Sequence, residues 1–140
     1  MTQSVAELMT KTVVQLPAET NLVEAARAMR DGEIGDVVVT ARGALAGLAT
    51  DRDIVVRAVA EGKDPAITLL SDVLTEDVVR VRNDASADDA AELMREHGVR
   101  RLVVTDDADK VAGIISLGDL AVARDPHSTL GSISAAPPNN

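Results

Sequence analysis

At 140 residues, with 46% hydrophobic and 26% charged residues, the chain is the size of one domain and long enough to bury roughly two-thirds of its unfolded surface. It has no cysteine and no Phe, Tyr or Trp, which excludes disulfides, thiolate metal sites and thiol nucleophiles and removes the aromatic platforms on which single strands stack. A formal net charge of −9, divided as −3 over residues 1–69 and −6 over residues 70–140, repels a nucleic-acid backbone.

The first predicted element is a short helical lead-in over residues 4–10, with Val5, Leu8 and Met9 on one face, running into an extended Thr12-Val13-Val14-Gln15-Leu16 before Pro17. A clear helix follows. Asn21 with Glu24 forms a capping-box pattern, and Leu22, Ala25, Ala26 and Met29 make an apolar stripe at i, i+3, i+4 and i+7, up to a stop at Gly32. Ile34 to Thr40 is a β-branched run that predicts a buried strand, Arg42-Gly43 a turn, and Leu45 to Ala49 a strand pairing back on it. From Thr50 the pattern is helical again, through Ile54, Val55, Ala58 and Val59, and ends at Gly62 with Pro65 close behind.

The same programme then restarts. At an offset of 65, Thr10 matches Thr75, Val13-Val14 matches Val78-Val79, and Asn21 and Glu24 match Ser86 and Asp89. Ala25-Ala26 with Met29-Arg30 matches Ala90-Ala91 with Met94-Arg95, and Val38-Val39-Thr40 matches Val103-Val104-Thr105. Past the hairpin the offset is 66, so Ala46-Gly47 matches Ala112-Gly113 and Asp53 matches Asp119. A shift that changes by one only inside a loop is what a tandem duplication predicts, because loops tolerate insertions. Each repeat reads strand, helix, strand, strand, helix: residues 4–62, a linker over 63–69, and residues 70–124 with Leu70–Leu74 repeating the lead-in. The expected fold is mixed α/β (α+β), with both repeats packed about a pseudo-twofold axis, since neither buries both faces of so short a sheet alone. Residues 125–140, rich in Ser, Pro, Gly and Asn, read as a mobile tail.

One motif closes each repeat: Gly47-Leu48-Ala49-Thr50-Asp51-Arg52-Asp53 and Gly113-Ile114-Ile115-Ser116-Leu117-Gly118-Asp119. A hydroxyl followed three residues later by a carboxylate, where a strand gives way to a helix, is a cap signature. Two copies in matching places suggest a built-in pair of sites. Capping and binding are compatible.

This order of elements, duplicated and closed each time by that motif, resembles a pair of CBS domains, a Bateman module, over residues 4–124. The resemblance implies a non-catalytic regulatory module that binds an adenosine-containing ligand (AMP, ADP, ATP, S-adenosylmethionine or a dinucleotide such as NAD) in the cleft between its repeats and forms a homodimer. It places a ribose-binding carboxylate at Asp53 and Asp119 and a companion hydroxyl at Thr50 and Ser116. The base pocket maps onto Thr12, Val13 and Val38 and onto Asp77, Val78 and Val103. Valine stands at 38 and 103 where many members carry proline, and these valines also fit a purely structural strand role.

Arg100-Arg101, ahead of Leu102-Val103-Val104, occupies a place where nucleotide-sensing relatives carry basic residues facing phosphates, whereas the first repeat has Gly35-Asp36. The two sites are therefore expected to differ, with Arg100 or Arg101 serving the competent one. The bland alternative is that these arginines pair with surface acids. Neither His97, which with Gly98 closes a helix, nor His127 in the tail suggests a metal. Asp51 with Asp53, and Asp106-Asp107 with Asp109, fit a helix start and a hairpin loop. No nucleophile elbow or phosphate-cradling glycine loop is present. The expectation is a cytoplasmic module with no cofactor requirement, no nucleic acid, no membrane and an unidentified protein partner; a ligand-free structural or stress-related dimer is the rival reading.

Overall fold

The structure, a computed structural model, describes residues 3–11 and 13–124. Thr12 and the tail at 125–140 lie outside the described residues. Two compact units emerge, each α+β with a three-stranded sheet.

The unit built on residues 13–78 holds β1 (Gln15–Pro17), α2 (Leu22–Gly32), β2 (Asp36–Ala41) and β3 (Ala44–Thr50). After β3 a helix starts as α3 (Asp51–Ile54) and widens into a π segment (Val55–Val59), and a 3-10 turn follows at Leu70–Asp72. Strand order is β1-β2-β3, with β1 parallel and β3 antiparallel to β2. The hairpin closes through Arg42 and Gly43, both at positive φ (53° and 79°), the pairing whose twist suits a two-residue connection. Leu22, Ala25, Met29, Val37, Val39, Ala49, Ile54 and Ala58 form the core with Leu70, Val73 and Leu74.

The other unit repeats this plan with β4 (Arg80–Arg82), α4 (Ala87–His97), β5 (Arg101–Thr105), β6 (Val111–Ser116) and α5 (Leu117–Arg124), and adds α1 (Val5–Leu8) from the start of the chain. Its order is β4-β5-β6 with the same parallel and antiparallel pairings. Its core gathers Val81, Ala87, Ala90, Met94, Leu102, Val104, Ile115 and Leu120 around Val5.

Each lead-in thus completes the unit of the other repeat. Leu70 and Ser71 donate to Thr20 and Ala18, and Thr75 exchanges two hydrogen bonds with Leu48 (2.8 and 3.1 Å). At matching places Val5 and Ala6 donate to Ala85 and Asn83, and Thr10 exchanges two with Ile114 (2.8 and 3.1 Å). The motif glycines make this possible. A Cβ on Gly47 would overlap the Thr75 carbonyl and stand 2.6 Å from Leu74 Cδ1, and one on Gly113 would stand 2.5 Å from the Thr10 carbonyl and 2.8 Å from Met9 Sδ.

Several local expectations shift. The capping pattern at Asn21 is half realised: its side chain accepts from the Glu24 amide, 2.9 Å, with no reciprocal bond. The left-handed residue ending α2 is Glu33 (φ 53°) rather than Gly32, and Ala26 is exposed, so the buried stripe is Leu22, Ala25 and Met29. Val55 and Val59, expected in a helical apolar pattern, are 55% and 60% exposed. The helix widens there, Ala60 N–H bonding Val55 O at 2.8 Å, so 3.6-residue spacing no longer decides which side chains point inward.

Candidate functional site

β3 ends on Thr50, which is extended (φ −108°, ψ 163°) and caps α3. Its Oγ1 accepts from the Asp53 N–H at 3.0 Å, and Asp53 Oδ2 accepts from the Thr50 N–H at 3.0 Å. β6 ends on Ser116 in the same way: Ser116 Oγ accepts from the Asp119 N–H at 3.1 Å, and Asp119 Oδ2 accepts from the Ser116 N–H at 2.9 Å. Both hydroxyl–carboxylate pairs are therefore reciprocal capping boxes, each cap worth on the order of 1 kcal/mol. The box uses Oδ2 alone. At Asp119, Oδ1 accepts no hydrogen bond from the described residues; at Asp53 it faces Arg57 Nε at 3.9 Å.

The neighbouring strand supplies what surrounds each box. In the first, Asp36 lies opposite Thr50 in the β2–β3 ladder, the Gly35 carbonyl accepts from the Asp51 N–H at 2.9 Å, and the Asp51 carboxylate lies 3.2 Å from where a Gly35 Cβ would be. In the second, Arg101 lies opposite Ser116 in the β5–β6 ladder and the Arg100 carbonyl accepts from the Leu117 N–H at 2.8 Å. The register is identical, so Arg100-Arg101 takes the place of Gly35-Asp36, and Leu117 that of Asp51. Both arginines are exposed. The start of α5, with its partial positive charge, adds to them.

Sequence reasoning missed Arg57, although its i,i+4 spacing from Asp53 was a usable signal. Besides facing Asp53, its Nη1 donates to the carbonyls of Val73 (3.2 Å) and Leu74 (3.0 Å), tying the box helix to the lead-in. Four residues past Asp119 stands Ala123, so the second box has no counterpart.

Of the base-pocket residues, Val38 and Val103 are fully buried yet outside the core clusters, on the sheet face opposite Val37/Val39 and Leu102/Val104. Val38 donates to the Val14 carbonyl (2.9 Å) and Val103 to that of Val79 (3.1 Å). Val13 and Val78 are half-buried, Asp77 is exposed, and Thr12 lies outside the described residues. In the hairpin, Asp107 and Asp109 pair with Arg82 (2.7 Å) and Arg80 (3.5 Å). Among the described residues no group of three or more His, Asp and Glu side chains is placed to hold a metal ion, and no helix is long and apolar enough to cross a membrane.

The CBS domain model matches residues 5–59 and again 70–125. CBS domain-containing protein YhcV of Bacillus subtilis is 36% identical over 129 residues, covering 92% of this chain and 91% of the relative. Hypoxic response protein 1 of Mycobacterium tuberculosis is 30% identical over 115 residues, 81% of this chain and 80% of the relative. A solved CBS-domain containing protein of Agrobacterium tumefaciens superposes with a TM-score of 0.76 at 31% identity, covering 89% of this chain and 95% of that one. A solved hypoxic response protein I, described with two coordinated zinc ions, superposes with a TM-score of 0.73 at 28% identity, covering 85% and 97%. With both repeats matched separately, and with fold and motif agreeing, the chain belongs to the CBS domain family.

Proposed function

We propose that this chain is a non-catalytic regulatory module that binds an adenosine-containing ligand of the AMP, ADP or ATP kind, with the second box as its phosphate-bearing site. The observation that carries this reading is the arrangement at Ser116: Arg101 opposite it in the ladder, Arg100 one residue before, and Asp119 holding the box with Oδ2 while Oδ1 accepts no hydrogen bond from the described residues. A ribose diol can donate to that oxygen while the arginines and the α5 N-terminus meet phosphate charge. The first box, with Asp36 and Asp51 beside it and Arg57 on its carboxylate, suits an uncharged ligand group or none. Thr12, Val13, Val38, Asp77, Val78 and Val103 are the proposed base-contacting positions. Such a protein requires no cofactor, and it regulates only if its ligand prefers one of its arrangements over another. The shift is passed to a protein partner, and the module acts as a homodimer in the cytoplasm.

The test is a calorimetric titration with AMP, ADP, ATP, S-adenosylmethionine and NAD. Saturable binding, weakened at least about tenfold, or about 1.4 kcal/mol, in Asp119→Ala and less in Asp53→Ala, supports the proposal. Absence of binding by all five ligands at millimolar concentration sinks it. A second reading, a dimer acting through protein contacts without ligand, is favoured by Val55, Val56 and Val59, which lie 46–60% exposed along one short helix. It predicts a concentration-dependent sedimentation coefficient that is unchanged by nucleotide.

A further inference from the structure

In the second-repeat unit an open groove of about 400 Å³ runs between the C-terminal end of α4 and the start of α5, lined by Ala91, Met94, Arg95, Gly98, Val99, Arg100 and Leu117. Its volume is within the range of small-ligand sites. The floor is aliphatic. Leu117, at the first position of α5, is 48% exposed, unusual for so large an apolar side chain at a helix start. Arg95 and Arg100 supply positive charge in a chain whose formal net charge is −9. Arg95 is also bonded to Glu92 at 2.5 Å, but both side chains are more than half exposed, and such surface pairs are weak enough to exchange.

The duplication provides an internal control. The equivalent positions of the first repeat are Ala26, Met29, Arg30, Glu33, Ile34, Gly35 and Asp51. The aliphatic positions and one arginine are kept, while Gly98, Arg100 and Leu117 are replaced by Glu33, Gly35 and Asp51. Glu33 holds the same left-handed cap as Gly98 (φ 53° and 64°), so the exchange keeps the backbone and changes the chemistry. The Asp51 carboxylate lies beside Gly35, at the place an arginine side chain would leave from. One fold therefore presents an acidic surface in one copy and an apolar, cationic groove in the other.

We infer that this groove is a binding site for a small amphipathic carboxylate, whose aliphatic part lies on Met94, Val99 and Leu117 and whose head group meets the Arg100 guanidinium, with Arg95 close by. The planar fork of arginine matches a carboxylate in two parallel hydrogen bonds. The inference shares Arg100 with the nucleotide reading and does not otherwise depend on it.

The probe is octanoate, added to the full chain and followed by amide chemical shifts, with octyltrimethylammonium as a control of the same chain length and opposite charge. The expected result is saturable movement of the Gly98, Val99, Arg100 and Leu117 amides with octanoate and not with the cation. Leu117→Asp, which installs the first repeat's residue at an exposed position, should weaken octanoate at least about tenfold. Asp77→Ala, at an exposed position proposed to contact the base and outside the groove lining, should leave octanoate affinity within about twofold whether or not it weakens nucleotide binding, which separates the two readings. Unchanged octanoate binding in Leu117→Asp, equal binding of the cation, or absence of saturation at these amides overturns the inference. Loss of an oligomer in Leu117→Asp, with octanoate inert toward wild type, also overturns it, because the groove is then a contact between copies.

Discussion

Around Thr50 stand Asp36, Asp51 and Asp53, answered by Arg57; around Ser116 stand Arg100, Arg101 and Asp119, with alanine where Arg57 would be. The backbone is common to both. The hydrogen bonds of the two boxes fall between 2.9 and 3.1 Å, and the pair that Thr75 exchanges with Leu48 has the same lengths, 2.8 and 3.1 Å, as the pair that Thr10 exchanges with Ile114. Duplication has kept the positions that support the fold and released the charges around them. The motif belongs to the fold, while its neighbours one or two residues away decide what each copy can hold.

The sharpest way to break this symmetry is at the glycines. Gly47→Ala and Gly113→Ala both place a methyl group on a backbone carbonyl, and a loss of roughly 1–3 kcal/mol or more is expected in urea unfolding. Gly47→Ala should be worse. Its next neighbour is a buried leucine of the core cluster, whereas Gly113 meets the flexible end of Met9. Equal losses would show that the two lead-ins are seated with equal rigidity. Next comes Arg57→Ala, expected to cost about 1–2 kcal/mol because charge-assisted bonds to two carbonyls are lost at a half-exposed side chain. Arg57→Lys should recover part of this, and faster amide exchange at Thr75 and Leu48 should accompany the alanine variant. Smallest and most alike are Thr50→Ala and Ser116→Ala, each about 1 kcal/mol, read from the same unfolding curves. A large difference between them would mean that the boxes are not equivalent as caps.

The five-element repeat was legible because it was written twice: periodicity alone suggests a helix over Leu22–Gly32, but matching Asn21, Ala25 and Met29 with Ser86, Ala90 and Met94 makes it firm. The boxes were legible for the same reason, down to which hydroxyl meets which carboxylate. What could not be read was pairing at long range. Nothing local in Ser4–Thr10 says that it joins β6 instead of the neighbouring β3, since Gly47 and Gly113 leave the same room for a lead-in carbonyl. The π segment was hidden too, because Ile54, Val55, Ala58 and Val59 fit an α pattern until the helix widens. Arg57 looked like an ordinary surface residue because its two carbonyl partners come from the lead-in of the second repeat.

The exchange of lead-ins also sets an order of assembly as the chain leaves the ribosome. Domains form as their residues emerge, N-terminal parts first. Residues 13–78 include Leu70, Val73 and Leu74, which close the core on one face of their sheet, so that core can gather while the rest is still being made. The first lead-in is made well before its own partners. Val5, which is fully buried at the end, and Thr10 have no docking place until Ala85, Gly113 and Ile114 have emerged, so until then a growing chain carries this apolar segment unseated. Glu7 and Lys11 break its apolar run, the kind of charged punctuation that guards a segment while it is exposed.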